Sequence, residues 1–318
     1  MRPRLLPHTH LLPSDQGVVI RGPQRTVALP MPGIYPWLER IRPFLDGSRR
    51  LDELVADLAP QAANHVRALV ELLVREGFVR DAEGDLRHGL SPEIRTRHAA
   101  LIDFIALRAD SPEYHFERYR NCAPVVVGFG RLASALVLAL LTSGVEQVRL
   151  CIEDTGHRSE NRTDLARLDE CVELLRKENL SFRYEAAHGE PQNLPADTGV
   201  ALLACDTLEP ELAARVRALA AREGVGYGQL TASGRHAFIS VRTEAGAAPA
   251  AGADEGLEEP GVTYLGGPNA ALAANQLCLR LLCQVAGLDE REDSGGTSAS
   301  DVAVLDLATG RFLTARPA

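Results

Sequence analysis

Residues 124–133 read PVVVGFGRLA. An apolar strand, Val125 to Val127, runs into Gly128-Phe129-Gly130, and Ala133 opens an apolar helix. In a βαβ unit of the nucleotide-binding kind, the first glycine makes the tight turn. The second lets backbone amides approach a phosphate, and the third small residue lets the helix close on the strand. The spacing therefore predicts a Rossmann-like α/β region. The polar complement of such a turn is thin. Arg131 follows Gly130 directly, where a long side chain would crowd a phosphate. The next strand ends in Glu153-Asp154, roughly where a ribose-binding acid belongs.

Downstream, strands and helices alternate as in a mostly parallel sheet. Strands are expected at Gln147 to Ile152, around Phe182 to Glu185, at Val200 to Cys205 and at Arg235 to Val241. Helices are expected at Asp164 to Glu178, Pro210 to Arg222 and Pro268 to Gly287, the last apolar enough to make an interface. Val302 to Leu307 and Arg311 to Thr314 read as a hairpin, and 245–261 (AGAAPAAGADEGLEEPG) as a mobile loop.

Upstream the pattern changes. His10-Leu11-Leu12, Gly17 to Arg21 and Thr26 to Leu29 read as strands separated by turn residues. Helical spacing follows in Tyr35 to Leu45, Leu51 to Leu58, and a third run carrying Val66, Leu69, Val70, Leu73 and Val74. Phe78-Val79 starts a short closing strand. The β-β-β-α-α-α order predicts a small winged-helix-like domain over 1–82. A connecting segment follows over 83–121, with a helix from Pro92 to Ala109, and the α/β domain covers 122–318.

Composition narrows the function classes. Hydrophobic residues make up 45% and charged residues 24% of the 318, as in an ordinary globular chain. No apolar run approaches membrane-spanning length. The opening MRPRLLPHTHLLP lacks the continuous apolar stretch of a signal peptide, so a cytoplasmic location is expected. A net charge of −9 argues against nucleic acid as a partner, although His65, Arg67 and Arg75 sit on the third helix. The six cysteines form no C-x-x-C pair, which predicts no metal site; five lie in apolar segments and are expected to be buried thiols.

The run 125–154 (VVVGFGRLASALVLALLTSGVEQVRLCIED), TDLARL at 163–168, 200–241 and GGPNAALAANQLCLRLLCQVAG at 266–287 together resemble the ThiF/MoeB-like activating-enzyme fold. That resemblance implies an ATP site near Gly128, Gly130, Asp154, Arg167 and Asp206. The departures imply a vestigial one: Asp164 and Leu168 replace the family's asparagine and glutamine, and Leu203 stands where an acidic partner of Asp206 is expected. No cofactor is therefore expected, and Asp206 is expected to cap the segment after it.

The order of elements over 8–81, with RPFLDGSRRLDELVADLAP at 42–60, resembles the PqqD-like peptide-recognition element. That likeness places a guest peptide along the third strand (Arg25, Thr26, Val27, Ala28, Leu29) and against the third helix (His65, Arg67, Leu69, Val70, Leu73). Arg25, His65, Arg67 and Arg75 would meet acidic leader side chains. Both halves together resemble the ocin-ThiF-like proteins. This implies a non-catalytic partner that binds a precursor leader peptide and delivers it to a YcaO cyclodehydratase, which forms azolines in thiazole/oxazole and thiopeptide biosynthesis. It also implies a possible homodimer. The alternative is an ATP-dependent adenylating enzyme acting on a peptide or carrier C-terminus.

Overall fold

The computed structural model describes residues 1–23, 25–153, 163, 165–178, 181–243, 265–288 and 302–313. The chain folds as two compact units, Met1–His115 and Phe116–Ala318. Residues 83–115 thus belong to the first unit rather than to a separate connector.

In the first unit, β1 (Pro3–Leu5) is followed by β2 (His10–Ser14), β3 (Gly17–Arg21) and β4 (Thr26–Leu29). Strands β2, β3 and β4 form an antiparallel three-stranded sheet with β3 central. Helix α1 (Ile34–Ile41) gives way to a 3₁₀ turn over Arg42–Phe44, earlier than the helical spacing predicts, because Pro43 cannot continue the helical hydrogen bonds. Then come α2 (Leu51–Leu54), α3 (Pro60–Arg75) and β5 (Val79–Asp81). Strand β5 pairs with β1, which has no sequence signal of its own.

Val18 and Ile20 of β3, Leu38 of α1 and Leu69, Val70 and Leu73 of α3 are buried in one core. Each such side chain contributes roughly 1.5–3 kcal/mol on leaving water. Ala63 joins the buried stripe of α3, while Val74, expected within it, is exposed.

The expected helix over 92–109 is two helices, α4 (Pro92–Arg97) and α5 (Ala99–Ala106), broken at His98. Helix α6 (Pro112–Arg120) carries the chain into the second unit. A partly buried ion network ties 85–113 to the strand pair. Arg4 grips Glu113 through both guanidinium nitrogens, one at 2.9 Å, and Arg80 grips Asp85 at 2.6 Å twice. The Ser111 N–H donates to Asp85 at 3.1 Å. Burial alone would raise both carboxyls. The bonds and charge of Arg4 on Glu113, and of Arg80 on Asp85, outweigh it and hold both below the usual carboxylate range.

The second unit is a Rossmann-like layered structure. It contains β6 (Val125–Phe129), α7 (Gly130–Thr142), β7 (Gln147–Ile152), α8 (Leu165–Lys177), β8 (Arg183–His188), β9 (Val200–Cys205) and α9 (Pro210–Glu223). It ends with β10 (Gly226–Ser233), β11 (His236–Arg242), α10 (Gly267–Val285), β12 (Ala303–Asp306) and β13 (Arg311–Leu313). The sheet order is β13-β12-β11-β10-β9-β6-β7-β8. The five strands from β10 to β8 are parallel and the rest antiparallel. Helix α9 packs on the face made by Val125, Val127, Ala201, Leu203 and Cys205. Strand β9 is buried along its whole length, as expected of a central parallel strand. The expected loop 245–261 lies outside the described residues. Among the described residues, no helix is long and apolar enough to cross a membrane.

Candidate functional site

The glycine turn is short. Strand β6 ends at Phe129 and α7 begins at Gly130, so one left-handed glycine makes the whole connection. Gly130 has φ +83°, and a Cβ there would sit 2.4 Å from the Asp206 carboxyl carbon. Gly128 has φ +145°, and its Cβ would lie 1.9 Å from the Ala204 carbonyl oxygen. Neither glycine can be replaced without moving backbone or this carboxylate.

Asp206 and the turn form one hydrogen-bonded unit. The Arg131 N–H donates to Asp206 Oδ2 at 2.9 Å and the Leu132 N–H to Oδ1 at 2.8 Å. The Gly130 N–H donates to Thr163 Oγ1 at 2.7 Å. Three amides at the amino end of α7 are thereby satisfied from within. The expectation that Asp206 caps the segment after it is corrected: it caps a helix more than seventy residues earlier in the chain. The register of β9 beside β6 sets this, pairing Cys205 with Phe129 and delivering the next residue to the helix start. Asp206 is buried, and burial pushes its carboxyl above the usual value, against the Leu132 and Arg131 amides and the Arg131 charge. The Arg131 guanidinium donates to the Leu265 carbonyl. A phosphate brought within about 4 Å of the carboxylate would meet a repulsion of about 4 kcal/mol at an effective dielectric of 20. That exceeds what one charged hydrogen bond returns, about 1.5–3 kcal/mol.

Of the other residues assigned to this site, Arg167 is exposed on α8 and Asp154 lies outside the described residues. Glu153 faces Arg215 at 3.9 Å, and Leu203 is fully buried. In the sequence, only a hydroxyl at the head of TDLARL marks Thr163. All six cysteines are free. Cys122, Cys205 and Cys278 are buried, and burial raises all three thiols, Cys122 to about 12. Cys151, Cys171 and Cys283 are only half-buried, so Cys151 and Cys283 depart from the expected interior placement.

The first unit carries the opposite kind of surface. Among the described residues, strand β4 is paired only with β3, so no described strand lies along its other edge. The Gly22 N–H donates to the Arg25 carbonyl at 2.9 Å, closing the turn between β3 and β4. Hydrogen-bonded and non-bonded pairs alternate along an antiparallel ladder. Val27 and Leu29 therefore bond inward to Ile20 and Val18, while the amides and carbonyls of Thr26 and Ala28 face the open edge. The side chains of Val27 and Leu29 are half-buried against the core, and those of Thr26 and Ala28 are exposed. The opposite edge, β2, contains Pro13, which offers no N–H.

The remaining expected contact residues behave differently. Leu69, Val70 and Leu73 are core side chains, not a groove wall, because the stripe that makes α3 amphipathic is buried in the unit's own core. Arg25 is paired with Glu76 at 2.8 Å, and Arg67 reaches Asp52 at 3.4 Å. Arg75 lies 3.8 Å from Glu76. His65 meets the Trp37 ring edge-on, with centroids 5.0 Å apart. The three arginines placed opposite acidic guest residues thus already have carboxylate neighbours.

No family model matches the chain, and no curated protein matches it in sequence. Solved structures do match its fold. PaaA superposes with a TM-score of 0.62 at 16% identity, covering 96% of this chain and 97% of its own. Escherichia coli MccB with ATP gives 0.60 at 12%, covering 98% and 96%. The microcin C7 biosynthetic enzyme MccB in complex with N-formylated MccA gives 0.59 at 11%, covering 98% and 96%. At such identities the likeness shows the fold alone: a mixed α/β chain with the Rossmann-like architecture of MccB and PaaA.

Proposed function

We propose that this chain is a non-catalytic peptide-binding partner in the biosynthesis of ribosomally made, modified peptides. The open edge of β4 carries the reading. An extended precursor leader can add there as a further strand, bonding to Thr26 and Ala28, with alternate side chains beside Val27 and Leu29. The arrangement of β2–β4 with α1–α3 suits the winged-helix-like, PqqD-type element, and the bound peptide would be handed to a YcaO cyclodehydratase. MccB supports the peptide context: its solved structures include one with MccA. The filled amino end of α7 supports the absence of ATP chemistry. Fluorescence polarisation with a cognate precursor peptide tests the reading. The full precursor and its leader are expected to bind equally and the core-only truncation not at all; equal or absent binding of leader and core contradicts it.

A second reading is adenylation of a peptide or carrier C-terminus. The fold match to MccB with ATP favours it. It requires pyrophosphate exchange that is lost in Asp206→Ala and Arg167→Ala; no exchange at saturating ATP with the bound precursor removes it.

A further inference from the structure

We infer that the outer face of the β2–β3–β4 sheet selects the sequence of the captured peptide. A guest strand on β4 places a bulky apolar side chain beside Ala28 and, two residues away, an acidic one beside Thr26 that Arg21 reads. The inference names the class of peptide and rests on the edge-capture reading. It follows from register. Leu12 pairs with Val19 and Val19 with Ala28, while His10 pairs with Arg21 and Arg21 with Thr26. Residues two apart along a strand point the same way, so these are adjacent cross-strand rows on one face. The alternate residues Leu11, Val18 and Ile20 are buried in the core, so both rows lie on the face turned away from it. One row is apolar and incompletely covered: Leu12 is 46% exposed, Val19 half-buried and Ala28 exposed. The other is basic, and His10, Arg21 and Thr26 are all exposed.

Side chains opposite one another in such rows interact, and a fourth strand extends each row by one place. Beside Ala28, a large apolar guest side chain would remove the Val19 and Leu12 surface from water. Beside Thr26, the guest position lies about 10 Å from Arg21, two strand spacings, with one short side chain between. The combined length of a guanidinium and a carboxylate side chain spans that gap. Arg21 is available for this. Among the described residues, no side-chain hydrogen bond or ion pair engages it or His10, whereas Arg25, Arg67 and Arg75 each have a carboxylate neighbour. The acid of the β2–β3 hairpin, Asp15, lies in the turn at its far end. Backbone bonds from Thr26 and Ala28 would hold any extended chain; the two rows distinguish one sequence from another. A guest antiparallel to β4 presents the apolar residue first, and a parallel guest presents the acid first.

The test selects displayed random peptides on the full-length protein and repeats the selection on Arg21→Glu. Peptides from the unsubstituted protein should carry an apolar and an acidic residue two apart. Those from Arg21→Glu should carry Lys or Arg at the acidic place. For one selected peptide, Arg21→Glu should weaken binding about tenfold in fluorescence polarisation, and exchanging the peptide's acid for Lys should restore most of it. A merely structural role for Arg21 would give no such recovery. Leu12→Ser should weaken binding about threefold through the apolar row. Amide exchange at Thr26 and Ala28 separates the two levels. Peptides that protect these amides but lack the spaced pair, or that bind Arg21→Glu equally well, overturn the row reading and leave edge capture standing. Selection of no peptide, or of peptides that leave both amides exchanging freely, overturns edge capture and this inference with it.

Discussion

The edge of β4 and the amino end of α7 pose the same physical problem and have opposite solutions. Each is a place where backbone groups run out of partners within their own element. At α7 the protein supplies every acceptor itself, from Thr163 and from Asp206. At β4 the outward groups of Thr26 and Ala28 meet no neighbouring strand among the described residues. A region that satisfies itself is suited to scaffolding, and one that leaves its edge open is suited to capture. The lesson is that a nucleotide-type turn signals a fold, while function is read from which polar groups are still available.

The comparison breaks most sharply at the two glycines. Gly128→Ala and Gly130→Ala should each cost roughly 4 kcal/mol or more, or prevent the second unit from folding, since backbone or a buried carboxylate must move. Urea unfolding measures this, and an unchanged midpoint for either variant would remove the closed-turn description. Next comes Ala28→Pro, which deletes an outward N–H. Peptide binding by fluorescence polarisation should weaken about tenfold or more, since the ring also clashes with a guest strand. Pro13→Ala, on the other edge, should leave it unchanged.

The Arg4 network gives a third, smaller effect. Arg4→Ala should destabilise the first unit by about 1–3 kcal/mol, because the partly buried Glu113 loses its partner. The carboxyls of Glu113 and Asp85 are held low in the folded state. Their contribution is therefore complete above the unfolded carboxylate range, near pH 4, and is lost as pH falls through and below it. Arg4→Ala should shrink this acid-sensitive limb in thermal melts between about pH 6 and pH 3; an unaltered limb would assign the acid sensitivity elsewhere. Smallest is Arg25→Ala. Its exposed pair with Glu76 is worth about 0–1 kcal/mol, and peptide binding should stay within about twofold if the edge is read through backbone. A large loss on this substitution, strongly dependent on salt, would point to acidic side chains as what is read.

Much of this architecture was legible because its signals are local. The alternation in β2–β4, the apolar stripe of α3 and the strand-turn-helix at Gly128 each lie within one short window. What escaped is long-range. Strand β1 is three residues carrying a proline, and its backbone partners come from far along the chain, in β5 and at Leu45 and Gly47. The partnership of Asp206 with Arg131 and Leu132 depends on β9 lying beside β6, which no spacing discloses. The same stripe that revealed α3 also misplaced Leu69, Val70 and Leu73: periodicity identifies a buried face but not whether a guest or the unit's own core buries it.

Amide hydrogen exchange at Thr26 and Ala28, with and without the precursor peptide, tests the central claim most directly. The account predicts that saturating peptide slows exchange at these two amides by at least tenfold, with Arg131 and Leu132 unaffected. Peptide that binds tightly while Thr26 and Ala28 exchange at their free rates would contradict it.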